Sequence, residues 1–537
     1  MTPNVAQLIR DHVSLSNTCI DRLYINGYVP TLQTSGQLCY FLRDHLGNPI
    51  PSPALLRPMH DRFVGEVDQM VRCEDVPLVR FKRGQRKDDI ANEHRADFGK
   101  SEGVVFVGVA QEKMKSFKAR KVIGTRGGMY FDFSRQPVAV NHYYFYVHDL
   151  EWGPAFVKVG TYLPYPVKLC LNGHEWAKQR LLREGISFES LDNGFLRCEK
   201  PERLQEICGE LCGLDVQHFF ERWSRRLPWP LTPEDRAAGF AHRLSIWQCE
   251  VSLTQVFERP VQGRHFFEEV IRENLDLGRP GRVNLVFPGR YSSRIRPPTF
   301  GYRSRVITSG VNPSLHIEYK RSHVKQYFKE ERALRTETTI NDPGDFGVNK
   351  GLRNLTHLRS IGEQINRKLL EVERVSQNCA LTQDALDRLQ TPTVEDEQRA
   401  SALRFGDVRV MALLHALCCF FHLTVGFRNR TLREKVASLL GVSPEDYSPG
   451  RMTYDLRRLR LKGLIARIPG TNRYTVTTFG LRAALFYTKV QLRILRPGMA
   501  SMVEDVKNYP RPLRSALRQI DKEINKMCEQ ARLRRAA

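Results

Sequence analysis

The chain has 537 residues and a formal net charge of +24, with 83 lysines and arginines against 59 aspartates and glutamates. Its length predicts three or four domains, and its hydrophobic fraction of 41% excludes a disordered protein. Such a basic excess destabilises a compact protein through self-repulsion, so it indicates a polyanionic partner. From Ser401 to the C-terminus, 26 lysines and arginines stand against 10 aspartates and glutamates, so this part carries most of the excess.

The cysteines and the N-terminus predict a cytoplasmic location. No Cys-x-x-Cys pair occurs, and Cys418 and Cys419 lie in an apolar run, which is typical of reduced, buried thiols. The stretch Met1 to Arg10 lacks the apolar segment of a signal peptide, and no apolar run reaches membrane-spanning length. We therefore expect no membrane partner, and the oligomeric state stays open.

Short apolar runs rich in β-branched and aromatic residues predict strands in the front part of the chain. These runs are Gly103–Ala110, the hairpin pair His142–Val147 and Ala155–Tyr162, Arg282–Phe287, and a meander of Leu315–Tyr319, His323–Phe328 and Leu334–Ile340. Helices are predicted over Asn172–Glu184, Ala237–Val256 and His265–Leu275. The predicted fold class is α+β, with a mixed α/β core and a C-terminal winged helix-turn-helix domain.

Changes in composition divide the chain into five predicted parts. The polar stretch Lys82–Lys100 and the acidic stretch Glu395–Glu397 mark two of the boundaries. The parts are an N-terminal α/β segment over 1–98, a mixed α/β core domain over 99–345, a helical connector over 346–400, a winged-helix domain over 401–498 and a basic helical tail over 499–537.

The C-terminal part has the most specific pattern. It predicts three helices, Asp407–Thr424, Thr431–Leu440 and Arg451–Lys462. Asn429 caps the second helix and Gly441 ends it, and the third helix begins at Ser448 or Pro449. Two strands follow, Leu464–Ile468 and Arg473–Thr477 around the turn 469–472, and then a last helix, Thr478–Leu495. Leu456 and Leu459 share one face of the third helix, which leaves a cationic face to enter the major groove of double-stranded DNA. The predicted DNA-binding residues are Arg451, Thr453, Arg457, Arg458, Arg460 and Lys462 on this helix, and Arg473 at the base of the wing.

Residues 454–480 resemble the winged-helix regulators of the MarR and ArsR kind. Those families show Leu-x-x-Leu-x-x-x-Gly-Leu-Ile, then a wing, then Tyr-x-Val/Leu-Thr-x-x-Gly. The matching residues are Leu456, Leu459, Gly463, Leu464, Ile465, Tyr474, Val476, Thr477 and Gly480. The resemblance implies a DNA-binding fold, although some winged helices mediate protein contacts instead. The whole chain also resembles a family of bacterial proteins that travel with mobile elements, which implies no activity.

The core contains a candidate catalytic motif, Glu318-x-Lys320. A carboxylate and a lysine two residues apart on a strand point to the same side, as in restriction-endonuclease-like enzymes, where they hold a metal ion and orient the attacking water. The candidate catalytic residues are Glu318, Lys320 and Glu337, and the candidate metal ligands are Asp149, Glu151 and Glu318, for magnesium or manganese. The alternative is an exposed strand with paired charges.

The same segment resembles strands of rolling-circle replication initiators. There, Lys-x-Tyr-x-Lys is followed by Leu-Arg-x-Glu, which correspond here to Lys325, Tyr327, Lys329, Leu334, Arg335 and Glu337. Those enzymes have a metal site of two histidines around one hydrophobic residue, and this sequence has no such pair, which weakens the case for DNA nicking. The alternative is a surface of alternating basic and aromatic side chains that tracks a phosphate backbone, which would also suit an RNA partner.

Two further groups have ligand-like residue types but no established metal spacing. They are His148, Asp149 and Glu151 with His174 and Glu175, and Cys198, Cys208 and Cys212 with His218. We interpret both as polar or packed side chains of ordinary elements. No phosphate-binding loop, dinucleotide fingerprint or nucleophile elbow occurs, which argues against ATP hydrolysis, redox chemistry and serine hydrolysis.

Together these patterns predict a DNA-binding protein that uses a C-terminal winged helix, in DNA transactions of a mobile element or in regulation. One alternative is a metal-dependent nuclease or transposase-like enzyme with its site in the core domain. The other is an RNA-binding protein. The sequence leaves open whether there is any catalytic activity.

Overall fold

The computed structural model describes residues 12–491 except 83, 124–127, 277–301, 308–313, 378, 396 and 419–425, with scattered positions between 495 and 526. They belong to two compact units, the first within 1–279 and 289–370 and the second within 371–537. Three predicted features lie wholly or partly outside the described residues. They are the strand Arg282–Phe287, the end of the helix Asp407–Thr424, and the basic tail with Arg532, Arg534 and Arg535.

The first unit contains thirteen described strands. They are β1 (Val13–Tyr28), β2 (Leu78–Arg80), β3 (Gly103–Ile123), β4 (Met129–Asp149), β5 (Gly153–Gly160), β6 (Val167–Asn172), β7 (Phe188–Ser190), β8 (Phe195–Cys198), β9 (Arg243–Phe257), β10 (Tyr302–Ile307), β11 (Ser314–Tyr319), β12 (Ser322–Lys329) and β13 (Ala333–Ile340). Eleven form one sheet in the order β10-β11-β12-β13-β9-β1-β6-β5-β4-β3-β2, and β7 pairs with β8 separately. Only β2 and β3 run parallel among neighbours of the large sheet, so the predicted mixed α/β core is confirmed.

Helices pack against this sheet. They are α1 (Ser35–Tyr40), α2 (Leu56–Cys73), α3 (Lys87–Ala96), α4 (Gly173–Arg183), α5 (Pro201–Glu210), α6 (Gly213–Arg226), α7 (Pro233–Ala237), α8 (Pro260–Asp276) and α9 (Leu355–Gln377). The main core joins sheet residues such as Leu23 and Leu169 to fully buried helical side chains such as Trp176 and Phe219. None of the described helices combines the length and apolar character needed to cross a membrane.

The hairpin of β4 and β5 and the meander of β11, β12 and β13 form as predicted. The predicted helix Ala237–Val256 is wrong, because most of it is strand β9, hydrogen-bonded to β1 on one side and β13 on the other. Its pairing with β1 shifts between Ile246 and Gln248, where Trp247 is the extra residue of a bulge. The bulge interrupts the period-two alternation of buried residues, so the run also fits helical spacing.

The predicted boundary near residue 98 falls inside the first unit. Strand β1 lies between β9 and β6 in the middle of the large sheet, and it pairs with both in antiparallel register. Residues 13–28 therefore share one sheet with residues 103–340.

From Asp407 onward the second unit has the order of elements that the sequence predicted, whereas the predicted helical connector over 346–400 also contains two short paired strands, Thr393–Glu395 and Gln398–Ala400. Its elements are α10 (Gln383–Gln390), β14 (Thr393–Glu395), β15 (Gln398–Ala400), α11 (Val408–Leu417), α12 (Asn429–Leu440), α13 (Pro449–Leu461), β16 (Ile465–Arg467), β17 (Tyr474–Val476) and α14 (Thr478–Val490). Gly441 ends α12 with φ +71°, and the Ser448 side chain caps α13 by accepting from the Arg451 amide. Asn429 is not the cap of α12 but its first residue, and its amide group donates to Pro449 O and Thr453 Oγ1. Assignment of this unit to the winged-helix class stays a prediction.

Candidate functional site

Helix α13 is anchored by one face and exposed on the other. Met452, Leu456 and Leu459 are buried in the core of the second unit. The exposed residues include four of the predicted DNA contacts, Arg451, Thr453, Arg457 and Arg460. The helix therefore presents three arginines to solvent on a fixed support, as a groove-binding helix requires.

Two of the predicted DNA contacts, Arg458 and Lys462, are instead buried. The Arg458 guanidinium donates to Asp455 Oδ1 and, at 2.6 Å, to Ala402 O. The Lys462 ammonium donates to the carbonyl oxygens of Arg388 and Thr391 at 2.8 and 2.7 Å. Burial, with the nearby arginine charges, lowers the pKa of Lys462 to about 8. Both side chains lie on the inner side of the helix, as Leu456 and Leu459 do, so their hydrogen bonds stabilise the interior of the unit.

The acidic residue of α13, Asp455, does not neutralise the exposed arginines. Its side chain is fully buried, pairs with Arg409 at 2.8 Å and with Arg458 at 3.2 Å, and accepts from the Tyr447 hydroxyl. Its negative charge is therefore compensated internally. The outer face keeps the positive charge of Arg451, Arg457 and Arg460.

Strands β16 and β17 pair as an antiparallel hairpin at the position where the sequence predicts a wing. Its turn includes Gly470 at φ +69°, a left-handed conformation that favours glycine. The predicted contact Arg473 is half-buried and donates to Gly426 O at 3.4 Å. Sequence reasoning missed Arg467, an exposed cation that donates to Thr471 O and Asn472 Oδ1 across the turn. The signal in the sequence that could have identified Arg467 is a basic strand residue followed by a turn that contains Thr and Asn.

The structure does not assemble the Glu318-x-Lys320 motif. Strand β11 ends at Tyr319, and Lys320 lies in the following turn with φ +50° and donates to Asp345 O. Glu318 is opposite His323 of β12, whereas Glu337 of β13 is opposite Lys325. The Cα atoms of the two glutamates are therefore about 12 Å apart by ordinary strand spacing. The alternation rule fails here because it holds only while the strand continues.

Of the candidate metal ligands, Asp149 and Glu151 lie together and both pair with Arg222, but Glu318 is separate from them. Asp149 is fully buried, accepts from the Glu151 and Trp152 amides and the Trp223 indole, and pairs with Arg222. It ends β4, seven strand spacings from β11, which corresponds to about 34 Å. These residues are too far apart to share a magnesium or manganese ion. In the described part of the chain, no three His, Cys, Asp or Glu side chains form a metal-binding group, including the two further groups considered above.

The structure instead brings together the residues of the Lys-x-Tyr-x-Lys and Leu-Arg-x-Glu strands. On β12, His323, Lys325, Tyr327 and Lys329 share the more exposed face, and the residues between them are buried. The Tyr327 hydroxyl donates to Glu337 Oε1 at 2.8 Å, and the same oxygen lies 2.7 Å from Arg335 Nε. A phenol, a carboxylate and a guanidinium therefore meet on neighbouring strands.

Strands β1 and β9 add two carboxylates to this group. Fully buried Arg335 also pairs with Asp21 Oδ2 at 2.5 Å. A register shift between Ile20 and Leu23 places Asp21 opposite the region of Glu250. Burial is the largest effect on Asp21 and raises its pKa, but the charge of Arg335 and the hydrogen bonds from Asn193 and Arg335 together outweigh burial, so the pKa of Asp21 is lowered. Burial and the charges of Asp21 and Glu337 raise the pKa of Glu250 to about 7.

His174 of α4 completes this group, which we call the sheet-face cluster. Its members are Asp21, His174, Glu250, Tyr327, Arg335 and Glu337. His174 Nε2 lies 3.0 Å from Ser252 Oγ and 3.2 Å from an Arg335 nitrogen. A guanidinium only donates, so Nε2 accepts and the proton resides on Nδ1. Burial lowers the pKa of His174 to about 3, so the ring is neutral. The cluster can hold a proton on Glu250, and it keeps the buried positive charge of Arg335 paired with the two carboxylates of Asp21 and Glu337.

Comparisons with known proteins do not assign the chain to a family. No family model matches the sequence, and no curated protein matches it. A solved structure of a rolling circle replication initiator protein from Geobacillus stearothermophilus aligns with 67% of this chain and 83% of that chain, at 8% identity and a TM-score of 0.19. Likeness at that level supports no argument about fold or function.

Proposed function

We propose that this chain is a DNA-binding protein that contacts double-stranded DNA through the outer face of α13 and the β16–β17 wing. The observation that supports the proposal is the exposure of Arg451, Arg457 and Arg460 on a helix whose own carboxylate, Asp455, is compensated internally. A single helix fits the major groove, and guanidinium groups bind phosphates and guanine edges. A role in the DNA transactions of a mobile element, or in regulation, belongs to the same proposal.

Binding of duplex DNA as a function of salt tests this proposal. Arg457→Ala with Arg460→Ala removes two exposed cations, so we expect the log–log salt slope to fall by about 2 and affinity to fall at least tenfold. Arg482→Ala, an exposed arginine on α14, is the matched control. Unchanged affinity and slope in the double variant would contradict the proposal. Stronger competition by structured RNA than by duplex DNA would favour the RNA alternative.

A second candidate function is phosphodiester cleavage at the sheet-face cluster. The observation that favours it is the pairing of Asp21 and Glu337 with Arg335, with the Tyr327 hydroxyl bonded to Glu337 and Glu250 close enough to both carboxylates for their charges to raise its pKa. Asp21 and Glu337 already pair with Arg335, so they do not fit a magnesium or manganese ion in this arrangement. In this proposal the Glu250 carboxylate accepts the proton of a water that attacks phosphorus, one P–O ester bond breaks, and the leaving oxygen takes a proton from solvent, while buried Arg335 holds Asp21 and Glu337 in place.

A cleavage assay on supercoiled and single-stranded DNA, with magnesium, manganese or EDTA, tests the second candidate. We expect Glu250→Gln and Tyr327→Phe to lower cutting at least a hundredfold, and Glu318→Ala to leave it unchanged. If only Glu318→Ala abolished cutting, the catalytic site would be the Glu318-x-Lys320 motif and not the sheet-face cluster. Absence of cutting under every condition would leave a binding protein only.

A further inference from the structure

Strands β3 and β4 extend far beyond the rest of the large sheet. They pair with each other from Gly103 and His148 out to Ile123 and Met129. On the other edges, β5 pairs with β4 only from His142 onward, and β2 pairs with β3 only at residues 107–109. Residues 111–123 and 129–141 therefore form a two-stranded ribbon about 40 Å long, which we call the β3–β4 ribbon.

The ribbon is strongly basic. Its exposed cations are Lys113, Lys115, Lys118, Arg120, Lys121 and Arg135. Of its two acidic residues, Glu112 is occupied by Lys87, Lys158 and the Tyr144 hydroxyl, and Asp132 is exposed. Over the described residues, no carboxylate lies within 4 Å of the charged groups of the five ribbon cations on β3. By strand alternation Lys118 and Arg120 point to one side and Lys121 to the other, so both sides of the outer half carry cations, with the one acidic residue, Asp132, opposite Arg120.

One face of the ribbon is packed against the first unit as far as Ala119 and Phe131. Phe117 and Phe133 are buried, the Ser116 hydroxyl donates to Leu163 O, and the Ser35 hydroxyl of α1 donates to Phe133 O. The outer end differs, because Ile123, Met129 and Tyr130 are 74%, 53% and 53% exposed. The ribbon is therefore held rigidly along one face, while its cations and the apolar side chains of its outer end are exposed to solvent, an arrangement that suits groove binding.

We propose that the β3–β4 ribbon is a second contact surface for double-stranded DNA, separate from α13 and the wing. The major groove admits a two-stranded β-ribbon as well as a helix. In that position Lys118, Arg120 and Lys121 meet phosphates, and the exposed apolar side chains contact base edges. The partner is the one in the proposed function, but the residues lie in the other unit. An anionic membrane or an acidic protein would use the same charges without requiring a groove.

A triple variant of the full-length protein tests the ribbon. Lys118→Ala, Arg120→Ala and Lys121→Ala together remove three exposed cations, so we expect the salt slope of duplex DNA binding to fall by about 3 and affinity to fall at least tenfold at physiological salt. The control is the triple variant Lys82→Ala, Arg86→Ala and Lys100→Ala, which removes three exposed cations of the same unit outside the ribbon. Equal thermal unfolding temperatures verify that both variants fold.

The outcomes separate this inference from the proposed function. Normal binding by the ribbon variant, or an equal loss in the control, overturns the ribbon proposal. Loss of binding to vesicles of phosphatidylcholine with phosphatidylserine, or to polyglutamate, while duplex DNA binding stays normal, also overturns it. A lower slope in the ribbon variant alongside normal binding by Arg457→Ala with Arg460→Ala supports the ribbon and rejects the α13 proposal.

Discussion

Arg457 and Arg458 are neighbours on α13, yet their side chains have opposite environments. Arg457 is exposed, whereas Arg458 is 6% exposed and bonded to Asp455 and Ala402 O. Lys462, one helical turn further on, has no exposed surface. The run of basic residues therefore has two roles, contact with solvent and stabilisation of the core. Consecutive residues of a helix are rotated by about 100° around its axis, so neighbours can face different environments.

We expect the two kinds of basic residue to separate in stability measurements. Lys462→Ala removes the donor to Arg388 O and Thr391 O, so it lowers the free energy of unfolding by about 1–3 kcal/mol. Arg457→Ala changes it by less than about 0.5 kcal/mol, because an exposed side chain makes few contacts. Chemical denaturation of the full chain measures both. Equal losses in the two variants would contradict the assignment of Lys462 to the interior.

The raised pKa of Glu250 predicts a pH dependence of stability. In the folded protein the Glu250 carboxyl group keeps its proton up to about pH 7, whereas the ordinary pKa of a glutamate is 4.5. Between these pH values the folded state therefore binds more protons than the unfolded state. The free energy of unfolding then falls as pH rises through this window, by up to about 3 kcal/mol. Glu250→Gln removes this contribution, so the variant gains stability relative to the parent between pH 5 and pH 8. Glu74→Gln, at an exposed position, should show no such gain.

Some site residues could be predicted from the sequence and others could not. Tyr327, Arg335 and Glu337 fall within a short local pattern, and strand alternation places Arg335 opposite Tyr327 and Glu337 opposite Lys325. Asp21 and Glu250 join them only because β1, β9 and β13 are neighbours in the sheet. Pairing between strands so far apart in the chain depends on the whole sheet, which local periodicity does not determine.

At the scale of elements, Gly480 explains one part of the winged-helix pattern. A Cβ atom there would lie 1.9 Å from Leu464 O, so α14 can approach the start of β16 only with glycine at this position. The two strands of the wing and α14 therefore depend on one small residue. This contact gives a physical reason for the last glycine of the Tyr-x-Val-Thr-x-x-Gly pattern.

We expect Gly480→Ala to destabilise the second unit. The clash with backbone atoms forces α14 away from β16, so the loss should exceed about 2 kcal/mol. Gly450→Ala in α13 is the control, because a Cβ atom there has no neighbour within 4 Å and alanine favours the helix by about 0.5–1 kcal/mol. Thermal unfolding measures both changes. A neutral Gly480→Ala variant would contradict the close approach.

Elements with a regular local pattern were the predictable ones. Strands β11 and β12 alternate between buried and half-buried residues, and the helices of the second unit have caps and terminal glycines. Strand β9 has no clean local pattern, because a bulge at Trp247 interrupts its alternation, and the sequence alone therefore predicts a helix there. The position of β1 in the middle of the sheet carries no local signal, because its partners lie more than a hundred residues away.

At the scale of the whole molecule, the positive charge lies on both units. The first presents the β3–β4 ribbon, and the second presents the outer face of α13 and Arg467 of the wing. With a net charge of +24, the unbound protein repels itself electrostatically. Salt therefore acts on folding and on DNA binding through the same charges.

We expect sodium chloride to have opposite effects on these two properties. Raising it from about 50 to about 300 mM screens self-repulsion, so the unbound protein should unfold at a higher temperature. The same change should weaken duplex DNA binding by at least a hundredfold, because bound counterions compete for the phosphates. A sucrose series serves as the non-ionic control. An unfolding temperature that falls with salt would show that attractive ion pairs dominate instead.

The place of β1 has a consequence for how the protein reaches its native state. Val13 pairs with Phe257, so the earliest described strand to leave the ribosome remains without that neighbour until more than two hundred further residues have been translated. Contacts of such high sequence separation slow folding, and an unpaired strand edge invites association with other chains. Assembly of the first unit is therefore completed late in synthesis, and the nascent N-terminal segment is the part that chaperones would need to protect.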